Sequence, residues 1–173
     1  MFQASKNIPI LLAICGLLSC CSPKTYLIKK QGNEIILNGN VPKSVLDYKK
    51  KYPWFYYGYL AYQPNEVLVK KLKPIAKDLR VLVVGGSWCS DTQLELPKFY
   101  KLSTQMGIEP GQIELIMVDR KKTSFNLNVQ NLQVKNVPAF LFYKDGKEQG
   151  RIIEKPDSCF EMHLIKIFNL WLN

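Results

Sequence analysis

Cys89 is the residue in this chain best placed to do chemistry. Val81-Leu82-Val83-Val84 is a short apolar run, mostly β-branched, that ends in Gly85-Gly86. Ser87, Trp88 and Cys89 come next, and a helical pattern begins at once with Ser90-Asp91-Thr92. That order puts a thiol between the end of a buried strand and the start of a helix. A helix start offers unpaired backbone N–H groups and the positive end of the helix dipole, and both favour thiolate over thiol. Thr92 can donate a hydrogen bond to a Cys89 thiolate but cannot attack sulfur. Asp91 opposes the thiolate if its carboxylate points at sulfur, and helps it by capping the helix if it points at backbone N–H groups. Arg120 and Lys121 come after a later strand end at Asp119. They favour the thiolate if they reach the rim of the site, and do nothing there if they lie on a solvated loop. Outside the leader, the cysteines Cys20, Cys21, Cys89 and Cys159 show no paired spacing, so neither a disulfide framework nor a metal site is indicated, and no cofactor is implied. Cys159 reads as a small buried apolar residue, and His163, the only histidine, has no ligand spacing around it.

The elements around Cys89 read as α/β. Strands are expected at Tyr26–Lys30 and Glu34–Leu37, joined by Gln31-Gly32-Asn33, then at Val81–Val84, Ile113–Val118, Val137–Tyr143 and Glu148–Ile153. Asp145-Gly146 is a hairpin turn. Helices are expected at Ser44–Lys51, within the aromatic run Tyr52–Tyr62, and from Pro64-Asn65 through Lys73 with Val67, Leu68, Leu72 and Ile75 inward and Pro74 ending or bending it. A further helix spans Thr92–Met106, with Leu94, Phe99 and Leu102 inward, a kink at Pro97 and a stop at Gly107. Leu127–Leu132 reads as a short helix. Asp157 caps a last helix whose stripe is Phe160, Leu164, Ile167, Phe168 and Trp171. The aromatic run is either a packed edge of the core or a binding platform.

The N-terminus reads as a targeting segment. Lys6 precedes an apolar stretch, Ile8–Leu18, too short to span a bilayer comfortably, and Leu17-Leu18-Ser19-Cys20 resembles the bacterial lipobox. The resemblance implies removal of residues 1–19 and lipidation of Cys20, hence a lipid-anchored, extracytoplasmic protein of the bacterial envelope. The alternative is an ordinary signal peptide or signal anchor, with Cys20 incidental. Residues 20–78 form a basic, aromatic-rich extension and residues 79–173 a second, α/β unit. Cys20–Arg80 holds 12 Lys/Arg against 4 Asp/Glu, whereas Val81–Asn173 holds 11 against 10. The basic half therefore lies beside the expected anchor and suits anionic lipid, or simply a soluble surface. No nucleic-acid motif is present, and nucleic acid is not an expected partner.

From about Leu79 onward the order strand, helix, strand, helix, strand, hairpin strand, helix resembles the thioredoxin-like fold. Trp88-Cys89-Ser90-Asp91 stands where that family has its tryptophan and nucleophilic cysteine. Pro97 stands where it has its kinking proline, Val137-Pro138 where it has its cis-proline, and Asp145-Gly146 with Gly150 where it has the next hairpin. Trp88–Thr92, Val118-Asp119-Arg120-Lys121-Lys122 and the Tyr/Trp-rich segment look like a branch of bacterial thioredoxin-like lipoproteins. The resemblance implies that Cys89 acts on thiols or disulfides of client proteins, with Trp88, Val137 and Pro138 as the docking surface. There are two departures. Thr92 replaces the second, resolving cysteine, so an outside thiol must resolve any mixed disulfide. Val83 replaces the buried acid of the strand. A glutathione-peroxidase-like thiol peroxidase shares the Cys-x-x-Thr order but has a downstream Trp-Asn signature missing here. A non-catalytic binding module of the same fold is the third reading.

Overall fold

The computed structural model describes residues 24–172. The leader and Cys20 lie outside the described residues. The chain begins as a hairpin, β1 (Tyr26–Gln31) and β2 (Glu34–Asn40), closed by the Gln31–Glu34 pair, with Gly32 at φ 60° in the turn. A positive φ is costly for residues with a Cβ, which is why glycine stands there. The strands β3 (Leu79–Gly85), β4 (Ile113–Met117), β5 (Ala139–Lys144) and β6 (Lys147–Ile153) complete one six-stranded sheet in the order β1-β2-β4-β3-β5-β6. Only β3 and β4 run parallel. β2 joins β4 through the pairs Gly39–Met117 and Asn40–Ile116, so the hairpin of the N-terminal segment is built into the same sheet as the strands from Leu79 onward.

Alternation along the strands sorts the core into two faces. Val81, Val83, Phe140 and Phe142 enter a large cluster with the helices, whereas Val84, Ala139 and Leu141 enter a smaller one with Val118, Val129 and Val137. Helices therefore cover one face, and the irregular segment after β4 covers the other.

Several helices differ from their expected bounds. The turn α1 spans only Lys43–Leu46, and Tyr48–Lys51 reverses the chain. The residue before a proline avoids helical geometry, and Tyr52, at φ −126°, leads directly into Pro53. Beyond it lie α2 (Pro53–Ala61) and then α3 (Glu66–Ala76), capped by Asn65 Oδ1, which accepts from Val67 N and Leu68 N. α3 buries Val69, Leu72 and Ala76 at three- and four-residue spacing, which turns Val67 out to 66% exposure. Pro74 lies inside α3 without ending it.

α4 runs from Ser90 to Met106 with Pro97 inside it, and Gly107 closes it at φ 85°. Its buried line is Thr92, Glu95, Leu96, Phe99, Ser103 and Met106, which leaves Leu94 outside at 57% exposure. Residues 127–132 form only a 3-10 turn at Gln130–Leu132. α5 (Phe160–Ile167) starts after Cys159 rather than Asp157, and it ends before Trp171, which is 53% exposed. Cys159 is half-buried rather than buried, and partial burial raises its thiol pKa.

The contact between α2 and α4 is set by one glycine. A Cβ on Gly58 would lie 2.6 Å from Pro97 Cγ, and a proline ring locked in a helix has little room to yield. Gly58→Ala is expected to lower stability by about 1–3 kcal/mol, read as a lower urea midpoint with unchanged slope.

Candidate active site

The strand β3 ends at Gly85, and four residues, Gly86 to Cys89, bridge to α4. Hydrogen bonds hold this loop at both ends. Gly86 N donates to Thr92 Oγ1 (3.1 Å) and Cys89 N donates to Gly86 O (2.9 Å). Gln93 Nε2 donates to Ser87 O at 2.7 Å. Ser87 Oγ accepts from Leu37 N and donates to Ile35 O, both at 2.9 Å, so the loop takes the place of a partner strand along β2. Backbone groups of a strand edge need such partners when buried.

Cys89 is the N-cap residue of the 17-residue α4 and is partly exposed. Its Sγ donates to the Val137 carbonyl at 3.2 Å, and the Val137–Pro138 peptide is cis. Sulfur, helix start and Pro138 loop are thus brought together. The family resemblance makes Val137 and Pro138 part of the docking surface, but here the Cys89 thiol occupies one acceptor direction of the Val137 carbonyl. Val137 and Pro138 are buried and wall the sulfur in from the β5 side.

Thr92 is placed differently from expectation. It is fully buried, and its hydroxyl receives the Gly86 N–H, so it fastens the loop. No hydrogen bond from it to Cys89 is found among the described residues. Thr92 Oγ1 lies at the Gly85-Gly86 turn, where it accepts the Gly86 N–H, and the partner of this side chain is the loop backbone rather than the sulfur. Asp91 is exposed in the first turn of α4, where a carboxylate favours the helix dipole, and it makes no cap hydrogen bond.

Trp88 folds back over the glycines, its Cε2 lying 2.8 Å from where a Gly86 Cβ would be, and its Nε1 donates to Val118 O at 2.9 Å. Arg120 reaches the rim. Its guanidinium lies 5.1 Å from the Trp88 ring centroid and pairs with Glu34 at 2.5 Å. The hairpin tip, the Trp88 ring and the loop after β4 are joined in one stack. Asn38 strengthens the join: its side chain donates to Thr123 O and accepts from Phe125 N. Sequence patterns alone do not single out Ser87, Gln93, Glu34 or Asn38 as parts of the site. The one local sign of them is a serine lying next to the Trp-Cys motif.

Asp119 anchors the loop that carries Arg120. Partial burial pushes its pKa up, but the hydrogen bonds from Thr123 N, Thr123 Oγ1 and Lys121 N, helped by Lys29, hold it below the usual carboxylate value. A lowered pKa in the folded state gives stability that is complete above the ordinary value of about 4 and lost as pH falls through the folded value. Amide exchange at Lys121 and Thr123 is therefore expected to be pH-independent in protection from pH ~7 to ~5 and to lose protection below about pH 4. Asp119→Asn should show the weak protection at every pH.

The thioredoxin family model matches residues 57–166, so the match begins within α2, upstream of the Leu79 boundary read from the motifs. No curated protein matches the chain. Similar solved structures include a protein of unknown function from Pseudomonas aeruginosa, 19% identical over 62% of this chain and 72% of that one, with a TM-score of 0.42. An HIV epitope scaffold is 20% identical over 67% of this chain and 71% of its own, with a TM-score of 0.43. Oxidised thioredoxin O2 from Arabidopsis thaliana is 18% identical over 64% of this chain and 92% of its own, with a TM-score of 0.37. The family match covers the sheet centre, the Cys89 loop, α4 and the Pro138 loop, and on that match the chain belongs to the thioredoxin family.

Proposed function

We propose that this is a monothiol thiol–disulfide exchange protein, anchored through a lipid on Cys20 to the outside of a bacterial membrane, with Cys89 as its nucleophile. The observation that supports this best is the position of Cys89 Sγ: at the start of a long helix, partly exposed, and 3.2 Å from the carbonyl beside Pro138. Cys89 thiolate attacks one sulfur of a client disulfide. The client S–S bond breaks, and the departing sulfur leaves as a thiolate that takes a proton from water. An external thiolate then attacks the Cys89 sulfur of the mixed disulfide, the Cys89–client bond breaks and the client's second sulfur leaves as a thiolate. A second external thiolate attacks the external sulfur now bound to Cys89, forming the reductant's own disulfide and releasing the Cys89 thiolate. In net, the client disulfide gains two electrons and two external thiols lose them. Trp88, steadied by Arg120, is the client-facing part of the rim.

Cys159 is a poor internal resolver, because it lines a separate crevice with Tyr62, Glu95 and Lys98. The test is adduct mapping. The full chain, incubated with a disulfide-bearing peptide and no small thiol, is expected to retain the peptide on Cys89 as a mixed disulfide, and about 1 mM added thiol should release it by exchange. A peptide retained on Cys159, or none at all, rejects the reading.

A further inference from the structure

The surface of α2 is unusual for an outer helix. Its nine residues, PWFYYGYLA, contain no charge. Phe55 is buried, and Trp54, Tyr59 and the nearby Tyr62 lean on the core. On the outer side Tyr57 is 56% exposed and Leu60 51%, and Tyr48 in the turn before α2 is 53% exposed. Helices that are apolar all round are normally covered. No described residue covers this face.

Its surroundings are basic. Lys49 Nζ sits over the rings of Tyr56 and Tyr57 at 4.6 and 5.0 Å, with Lys50 and Lys51 next in sequence. Lys101 Nζ lies 5.0 Å from the Tyr59 ring on the α4 side. Asp47 and Glu95, on the flanking segments, are each already paired with a lysine, at 2.7 and 2.8 Å. Tyrosine rings ringed by lysines suit the boundary between hydrocarbon and anionic headgroups, where the ring body is buried, the hydroxyl stays wet and the ammonium reaches phosphate.

The exit of the tether agrees. Thr25 O accepts from Asn40 N, just ahead of α1, and Lys43 of α1 lies over the Phe55 and Tyr59 rings of α2 at 5.5 and 5.3 Å. The chain from Cys20 to Thr25 spans at most about 18 Å. A lipid on Cys20 therefore holds this corner of the domain at the bilayer, and some face must rest there.

We propose that the outer face of α2, with Tyr48, Tyr57 and Leu60 inside the frame of Lys49–Lys51 and Lys101, docks on an anionic lipid surface. The inference rests on the lipid-anchor reading. A groove of 490 Å³ between α2 and α4, walled by Trp54, Gly58, Gln93 and Leu94, also takes in Ser90, the neighbour of Cys89. Docking through α2 lays that groove along the membrane and makes clients at the bilayer surface the ones Cys89 meets. The patch is small, so it acts through the tether's high local concentration rather than as an anchor in its own right.

The test is hydroxyl-radical footprinting of the full chain in nanodiscs of phosphatidylcholine, with and without phosphatidylglycerol. Oxidation of Tyr57 and Leu60 is expected to fall about fivefold in the anionic discs, with Trp171 unchanged, and about 0.5 M salt should restore it. The K49E/K50E/K51E variant, altered only on exposed lysines, should lose the protection. Equal labelling in both lipids overturns the proposal. Protection that appears only at two or more chains per disc assigns the face to a second copy, and protection that needs an added client peptide assigns it to the client; either overturns it. Intact mass reports separately whether Cys20 carries lipid, so a missing anchor and a missing contact are told apart.

Discussion

Cys89→Ser is expected to reduce disulfide exchange to the background of the buffer, while leaving the fold intact. Serine keeps the shape of cysteine, can donate to the Val137 carbonyl as the thiol does, and is itself a favourable N-cap residue for α4. What it lacks is a polarisable, nucleophilic sulfur, and an alkoxide does not form near neutral pH to replace it. The measurement is the rate of thiol release from a disulfide-bearing peptide, with excess small thiol as reductant, alongside thermal unfolding. An unchanged melting temperature with lost activity locates the chemistry at sulfur. Cys159→Ser, altering the half-buried thiol at the start of α5, should retain the rate. Retained activity in Cys89→Ser would end the mechanism through Cys89. The same pair of variants, assayed for peroxide consumption, separates exchange from thiol peroxidase activity.

Phe99→Ala is expected to cost about 3–5 kcal/mol. Phe99 is 1% exposed, and its ring centroid lies 5.0 Å from that of Phe140, 5.9 Å from Phe160 and 6.2 Å from Phe142. It is the point where α4, β5 and α5 meet. Removing it forfeits both transfer energy and the aromatic contacts, and three stiff rings around the gap collapse poorly into it. Against a total domain stability of roughly 5–15 kcal/mol, such a loss takes about a fifth or more of the margin, so the urea midpoint should drop steeply. Leu94→Ala, on the same helix but turned to solvent, should shift stability by about 0.5 kcal/mol or less. A large effect at Leu94 and a small one at Phe99 would mean that the facing of α4 is wrong.

These two residues also mark where the amino-acid sequence was legible. The run Val81–Val84, the glycines, Cys89 at a helix start, the Asp145-Gly146 turn and the cis Val137–Pro138 peptide all depend on local chemistry or on motif order, and the structure has each of them. The face of α4 was harder to read. Leu94 competes with Leu96 for the core, and the choice falls to Leu96 because Thr92, Glu95 and Phe99 share its side of the helix. Nothing local says that Glu95 will be buried; Lys98, one turn on at 2.8 Å, is what makes that tolerable. The site was legible as a cysteine and a proline loop but not as a braced loop. Ser87 bonds to residues about fifty positions earlier in the chain, and no periodicity reports such a partner. Arg120 reaches the rim, one of the two placements open to it from its position after a strand end, but its connection to Glu34 spans 86 residues and was invisible.

The outermost strands of the sheet bear on how the molecule keeps to itself. Among the described residues, β1 and β6 each leave one side of the backbone ladder without a neighbour. Such a margin is a template on which another chain can assemble strand by strand into a fibre. β1 carries adjacent Lys29 and Lys30 in its exposed stretch, and β6 carries an exposed Lys147, its Arg151 being paired with Glu148 of the same strand. A second molecule extending the ribbon at the β1 margin would have to bring the like charges of Lys29 and Lys30 close to others of the same sign. The basic residues that give the chain its net charge therefore also act as gatekeepers against amyloid-like growth.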